Sequence, residues 1–275
     1  ALRTDSMRGS VLVVISDTHI GSTTGLATPT YNIQTRNPHE TQEVQANVLQ
    51  RWLWECWTDF WAYVREKQGK GKNAKRLIVV HLGDVIDNVH HSSTQAIPEV
   101  GDQMTLAYQI LEPIAHRANT FFGILGTPAH AGIDHSHEAK LYRELGAQDY
   151  GQQLTLDIDG IIHDFAHHGR AGGRPWTSAS AGIVTETIVD YATRGQRPPN
   201  FVWRGHRHVL DDSGHKIPGT RAISMPSWQL KTSYAHRVST SVRSDIGGMI
   251  VVDGILDASK ARYKGQADER TVIKV

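Results

Sequence analysis

Apolar residues gather in short blocks along the chain, and the first of them, Val11–Ile15, runs without interruption into Ser16-Asp17-Thr18-His19. An apolar run of this length, stopped by polar residues, predicts a strand buried on both faces. Leu77–Leu82 and Phe121–Leu125 repeat the pattern and predict a second and a third strand. Between the blocks the period changes. Val44, Val48, Leu49, Trp52, Leu53, Cys56, Trp57, Phe60 and Val64 recur at helical spacing, so an amphipathic helix is expected over residues 41–67. Trp52 and Trp57 fall in its apolar arc, whereas Trp54 and Trp61 fall at or beyond the arc's edge. "QGKGKNAK" (68–75) reads as a solvated turn, and helices are expected over 99–117 and 136–146. Such β-α-β-α-β alternation predicts a partly parallel sheet.

Beyond residue 150 the blocks shorten. Gln153–Ile158 and Ile161–His167 flank Asp159-Gly160, a dipeptide suited to a tight hairpin turn. A helix fits 178–193, "RPPN" closes it, and Phe201–Arg204 predicts a short strand. "VVDG" and "ILDASKARYK" predict antiparallel strands. In "SMPSWQLKTSY" (224–234), which could return towards a pocket, core packing of Trp228 is favoured over stacking on a base. No repeat, linker or low-complexity tract divides the chain, so 1–275 reads as one domain, with 1–10 a polar leader of no assigned function.

Charge narrows the classes. Lys plus Arg is 29 against 28 Asp plus Glu, a net charge of +1, so the overall balance encodes no general attraction to nucleic acid or to a membrane surface. Contacts with long duplexes rely on many Lys and Arg side chains, leaving only a local basic groove for that role. No run approaches the ~20 apolar residues of a membrane span. The single cysteine, Cys56, excludes an internal disulfide and agrees with the cytoplasmic location expected. Histidine changes the picture most, with 16 residues, several in pairs.

Those histidines sit at strand ends. The first strand is followed by Asp17 and His19, the second by "GDVID" with Asp84 and Asp87, and the third by "GTPAH" with His130. The hairpin ends in His167-His168-Gly169, and the strand near 203 in "GHRH" with His206 and His208. On an extended chain residues i and i+2 project to one side. In open α/β sheets ligands bind beyond the carboxyl ends of the strands. Any one of these pieces is common by chance. Five of them at successive predicted strand ends make a strong joint pattern.

In this order, the series D-x-H, G-D-x-x-D, H, H-G and G-H-x-H resembles the calcineurin-like metallophosphoesterases over residues 16–208. The resemblance implies an α/β fold: a two-sheet mixed β-sandwich flanked by helices. It also implies two divalent transition-metal ions (Mn, Zn or Fe). Asp17, His19 and His208 would hold the first, His168 and His206 the second, and Asp84 would bridge them. His167, alternating with His168 on its strand, is set aside. A carboxylate has two oxygens with which to bridge, and mixed His and Asp ligation suits these metals over Ca or Mg. Two such ions ~3.5–4 Å apart clamp a phosphate and hold a bridging hydroxide for in-line attack.

The chain departs from the family at Gly126-Thr127-Pro128-Ala129-His130, where Gly-Asn-His is usual. Two roles for His130 stay open: the acid that protonates the leaving group, oriented by Asp87, or a ligand in place of the missing Asn. The first is preferred, and Thr127 is a poor neutral ligand. Arg170 and Arg174, in a Gly-rich loop, could grip phosphate oxygens, and His90 and His91 could line the pocket. "GTPAH" and the His90-His91 pair are most similar to members carried by phages and prophages. Asn88 stands where the family's protein phosphatases carry Arg, which leans towards a phosphodiester. The partner implied is a phosphate-ester substrate, a nucleotide or nucleic acid among the candidates, with no membrane partner and protein partners left unknown. The alternatives are a phosphomonoesterase on a nucleotide, metabolite or phosphoprotein, a mononuclear zinc hydrolase, and a non-catalytic scaffold of the same fold.

Overall fold

The apolar run after Gly9 becomes strand β1 (Ser10–Ile15), every residue of which is buried. Its side chains serve two cores by simple alternation. Val11, Val13 and Ile15 join one apolar cluster, while Leu12 and Val14 join another on the opposite face. The structure is a computed structural model and describes residues 9–35, 37, 40–90, 95–169, 179–214, 217–232 and 243–265.

Along the first half follow β2 (Thr30–Gln34), β3 (Thr41–Gln45), α1 (Val48–Gln68), β4 (Arg76–His81), α2 (Val100–Arg117) and β5 (Thr120–Ile124). Then come α3 (Pro128–Ala131), α4 (Ser136–Glu144), β6 (Asp149–Gly151), β7 (Gln153–Ile158) and β8 (Ile161–Ala166). The last elements are α5 (Ala179–Thr193), β9 (Phe201–Arg204), β10 (Asp211–Asp212), β11 (Arg221–Ser224), β12 (Met249–Val252) and β13 (Ile255–Asp257).

A six-stranded sheet has the order β13-β12-β1-β4-β5-β6, and a five-stranded sheet the order β10-β11-β9-β8-β7. In the first, β1, β4, β5 and β6 run parallel and β12 pairs antiparallel with β1. In the second, β8, β9 and β11 run parallel. The inner faces meet through Leu12, Val14, Val80, Phe165, Trp203 and Met249. Outside the larger sheet lie α1, α2 and α4, with Leu53, Phe60, Leu111 and Leu141 against Val13 and Val79. Outside the smaller lies α5, with Ile183 and Val184 against Val202 and Ala222. The layers are α/β/β/α, the mixed sandwich expected.

The long helix starts later than expected. Thr41–Gln45 pairs with Thr30–Gln34 as a hairpin, and only at Asn47 does the chain turn helical. Asn47 Oδ1 accepts from the N–H groups of Leu49 and Gln50, and Gln50 Oε1 accepts from Asn47 N–H, a complete capping box. Val44 fits a two-residue period as well as a helical one, so apolar spacing alone ran through the boundary. Trp61, expected near the rim, is buried and makes an edge contact with Trp57. Trp228 is wholly buried, its ring 4.8 Å from that of Trp57 and 5.6 Å from that of Phe60, the core placement favoured from sequence.

Between the sheets, His163 stacks on Phe201 and Phe165, and its Nδ1 accepts from the Trp203 indole at 3.1 Å. Burial lowers its pKa to about 4. A histidine depressed in the fold takes its proton first in the unfolded chain. Stability is therefore expected to fall by roughly 3 kcal/mol as pH drops from 6.5 to 4, then to level off. His163→Gln, which keeps an acceptor for Trp203, should flatten that slope in denaturant titrations across the range. An unchanged slope would assign the acid sensitivity to other groups.

Candidate metal centre

Strands β1, β4 and β5 run parallel, so the loops that follow them emerge at one edge. The loops after β8 and β9 meet them there from the second sheet, as the contacts below show. Backbone geometry at that edge is unusual. Asp17, His19, Asp84, His206 and His208 all have positive φ, between 42° and 69°. A side chain in this region costs roughly 1–2 kcal/mol. Concentration of such strain marks a site where side-chain direction outranks local comfort. The i, i+2 convergence expected on an extended chain is therefore achieved differently. Asp17 and His19 lie past the end of β1 in a turn pinned by Asp17 N–H to Gly83 C=O (3.0 Å) and His19 N–H to Asp84 C=O (3.1 Å). Close approach does the rest. A Cβ on Gly126 would collide with the Asp84 carboxylate, and one on Gly205 with Ser16 Oγ and Asp17 Oδ2.

Two groups of side chains result. Asp17, His19 and His208 present their ligand atoms within 4.8 Å of one another. The Nε2 atoms of His19 and His208 are 3.2 Å apart, and Asp17 Oδ1 is 3.2 Å from His208 Nε2. His167, His168 and His206 form the second group, with ring centroids 4.6–5.3 Å apart. A third set, Asp17, Asp84 and His167, joins them: His167 Nε2 is 3.1 Å from Asp84 Oδ2 and 3.9 Å from Asp17 Oδ1.

His167 is the residue that sequence reasoning set aside. It is buried, whereas His168 is exposed. The signal was parity: His163, Phe165 and His167 share one face of the hairpin strand, and Phe165 marks it as the face between the sheets. His167 Nδ1 donates to the Leu82 carbonyl at 2.5 Å, which leaves Nε2 as the nitrogen facing Asp84 and Asp17. A histidine whose second nitrogen is fixed in this way is what metal ligation requires. Asp17 Oδ1 and His167 Nε2 are both buried, and their near neighbours are other carboxylate oxygens and imidazole nitrogens of the cluster. A cation shared by these atoms would satisfy both, so the residues fit a metal.

Asp87 also differs from expectation. Its carboxylate lies 3.3 Å from His19 Nδ1 and takes Gln95 Nε2 at 2.9 Å and Gln229 Nε2 at 3.4 Å. The carboxylate is 4.0 Å from His130 Nδ1, which instead donates to the Asp87 main-chain carbonyl at 2.7 Å. Asp87 thus steers His19 through its side chain and His130 through its backbone. His130 Nε2 is left facing Asp84 Oδ2 at 4.0 Å. Thr127 donates its N–H (2.7 Å) and Oγ1–H (2.9 Å) to Asp84 Oδ1, so it holds a carboxylate. His90 packs its ring edge against His130 at 4.3 Å. Arg170, Arg174 and His91 lie outside the described residues. Gln229 shows that the segment after residue 224 does reach the site.

The charges are mutually dependent. Burial opposes protonation of His19, but Asp17, Asp87 and Asp84 outweigh it and push its pKa up to about 10. The same contest raises His167 to about 9, with Asp84 and Asp17 as the attracting charges. Asp84 and Asp17 are held far below the usual carboxylate range despite burial, by the histidines around them. His206 and His130, partly desolvated and beside those protonated rings, fall to about 4. Without a metal, protons supply the positive charge that this cluster demands.

The two neighbouring histidines can be separated by experiment. Elemental analysis of protein reconstituted with Zn is expected to show a larger loss of bound metal in His167→Ala than in His168→Ala, by ~10-fold or more in affinity. The opposite order would return the ligand role to His168 alone.

No family model matches the chain, and no curated protein does. Solved structures do. An archaeal phosphodiesterase aligns over 92% of this chain and 97% of its own at 11% identity and a TM-score of 0.42. Vps29 from Entamoeba histolytica, as a single mutant, aligns over 90% and 96% at 12% identity and a TM-score of 0.40. YfcE, a phosphoesterase from E. coli, aligns over 88% and 87% at 13% identity and a TM-score of 0.39. In its own strand order and layering the chain is an α/β/β/α sandwich, with the Asp- and His-bearing loops gathered where the two sheets meet.

Proposed function

We propose that the chain is a metal-dependent phosphoesterase that hydrolyses phosphodiesters with two divalent transition-metal ions. One observation carries the reading: buried Asp17 Oδ1 and His167 Nε2 belong to overlapping sets of His and Asp ligand atoms, with His19, His208 and Asp84, whose members in each set lie within 4.8 Å of one another. Asp17, His19 and His208 would hold one ion. His167 and His206, with His168 at the exposed rim, would hold the other, and Asp84 Oδ2 would lie between them. When bound, such ions neutralise phosphoryl charge and lower the pKa of the attacking water. The His and Asp donors suit Zn, Mn or Fe.

The chain supplies the remaining functions. Thr127 fixes the Asp84 carboxylate, donating N–H and Oγ1–H to Oδ1 and with Oγ1 also 3.1 Å from Oδ2, the oxygen that faces His167. Asp87 keeps the His19 ring from rotating. Because His130 Nδ1–H is committed to the Asp87 carbonyl, Nε2 is the atom left to face the departing oxygen, and it would act as an acid only in the doubly protonated ring. A second reading makes His130 a ligand. It is favoured by the grouping of His19, Asp87 and His130 and by the 4.0 Å approach of Nε2 to Asp84. Asn88, uncharged and directly after Asp87, supports a diester over a doubly charged monoester.

Chelation is expected to abolish hydrolysis of a diester panel, and added Mn or Zn to restore it, with monoesters slower throughout. Activity that survives complete removal of metal would end the metal reading. A panel dominated by monoesters would replace the substrate class.

The role of His130 is tested by leaving-group dependence. His130→Ala is expected to retain metal and to slow esters of poor leaving groups by ~10²–10⁴-fold. Nitrophenyl diesters, whose phenolate needs no proton, should be far less affected. Equal slowing of both classes with loss of metal would make His130 a ligand. Asp87→Asn should weaken metal retention through His19 and should not copy the leaving-group pattern.

A further inference from the structure

We infer that Glu138 is a positioning residue of the metal centre, a single carboxylate that staples together the two loops on which the geometry of Asp84 depends. The inference rests on the metal reading above. Glu138 projects from α4 and is wholly buried. Its Oε1 accepts the N–H of Val85 at 2.8 Å, and its Oε2 accepts the N–H of Gly126 at 2.6 Å. Val85 directly follows Asp84 in the loop after β4. Gly126 directly precedes Thr127 in the loop after β5.

The consequence converges on one side chain. Thr127 holds Asp84 Oδ1 through two hydrogen bonds, and Gly126 has no Cβ because the Asp84 carboxylate occupies that space. A rotation of either loop therefore displaces the same carboxylate. One turn further along α4, Tyr142 donates to the Ile124 carbonyl at 3.0 Å. It fills the space where a Cβ on Gly123 would stand. The helix thus grips the end of β5 at two points and the loop after β4 at one.

Burying a carboxylate costs several kcal/mol unless its partners are well placed, and here the partners are backbone N–H groups that need an acceptor. Only a carboxylate of this length offers two equivalent acceptors to two loops. Glutamine would satisfy one N–H and oppose the other with its own NH₂. Aspartate keeps both acceptors but is one methylene shorter. In the sequence, Glu138, Leu141, Tyr142 and Leu145 share a helical face, so a charged residue stands on an apolar stripe.

The test uses Co²⁺ as probe, titrated into metal-free wild type, Glu138→Gln, Glu138→Asp and, as a remote buried variant, His163→Gln. Visible absorption reports both affinity and ligand geometry, and circular dichroism confirms that each is folded. Glu138→Gln is expected to bind Co²⁺ ~10–100-fold more weakly with a changed spectrum and to lower kcat on a diester with KM unchanged. Glu138→Asp should recover part of the affinity, and His163→Gln should keep the wild-type affinity and spectrum. If Glu138→Gln does not fold, the Glu138→Asp comparison decides alone: a Co²⁺ affinity and spectrum equal to wild type overturn the inference. The same result in a folded Glu138→Gln overturns it too, as does an equal loss in His163→Gln. Wild type that binds no Co²⁺ would instead overturn the metal reading and this inference with it.

Discussion

Asp17, Asp84 and Asp87 are buried together, and the carboxylates of a folded chain do not gather in this way unless positive charge is brought to them. In the protein alone the charge comes as protons on His19 and His167. Much of the surrounding structure reads as a means of enforcing that encounter. Five residues take left-handed backbone conformations, and glycines at 126 and 205 remove atoms that would hold the loops apart. Donors from neighbouring segments, namely Thr127 on Asp84, Gln95 and Gln229 on Asp87, and the His206 N–H on Asp17, take up further carboxylate lone pairs. The local strain is sustained because two packed cores lie directly beneath.

The sandwich provides those cores and also determines which residues can meet. The larger sheet contributes the loops of Asp17, Asp84 and His130, and the smaller one those of His167 and His206. The centre thus sits where the two sheets face each other, and a side chain reaches it only by pointing between them. This geometry explains why His167 is enclosed and His168 is at the rim. It also explains why the histidine two strand periods further back, His163, is a stacking element of the core.

Much of this was legible in the chain. Continuous apolar runs marked β1 and β4, and Asp159-Gly160 marked the β7–β8 hairpin, whose two turn residues do have positive φ. Clustered His and Asp at strand ends marked the centre. What was not legible depended on partners distant in sequence. The β2–β3 hairpin is polar on most of its positions, so its pairing left little periodic signal. Short β6, β10 and β11 carry too few residues to show a period. The Asp87 carboxylate could not be assigned to His19 over His130 without knowing which ring lay nearer. His167 was readable in principle, since the parity of Phe165 decides it. Glu138 was readable as a charge on an apolar helical stripe, but its two loop partners were not.

One pairing has a kinetic side. β1, which carries Asp17 and His19 at its end, lies between β4 and β12, and the register joins Val11 to Val252. Its neighbour on one side is therefore synthesised more than two hundred residues after it. Contacts of such separation are closed late, because loop entropy must be overcome before they return any stability. On the ribosome, the first half of the chain can assemble the parallel core of β1, β4 and β5 and hold three of the loops in outline. The rings of His206 and His208, and the antiparallel strand that seals the sheet edge, arrive only afterwards. The candidate centre is thereby completed only after residues 206–208 are made, and a chain interrupted before β12 would leave a bare edge of β1 open to pairing with other chains.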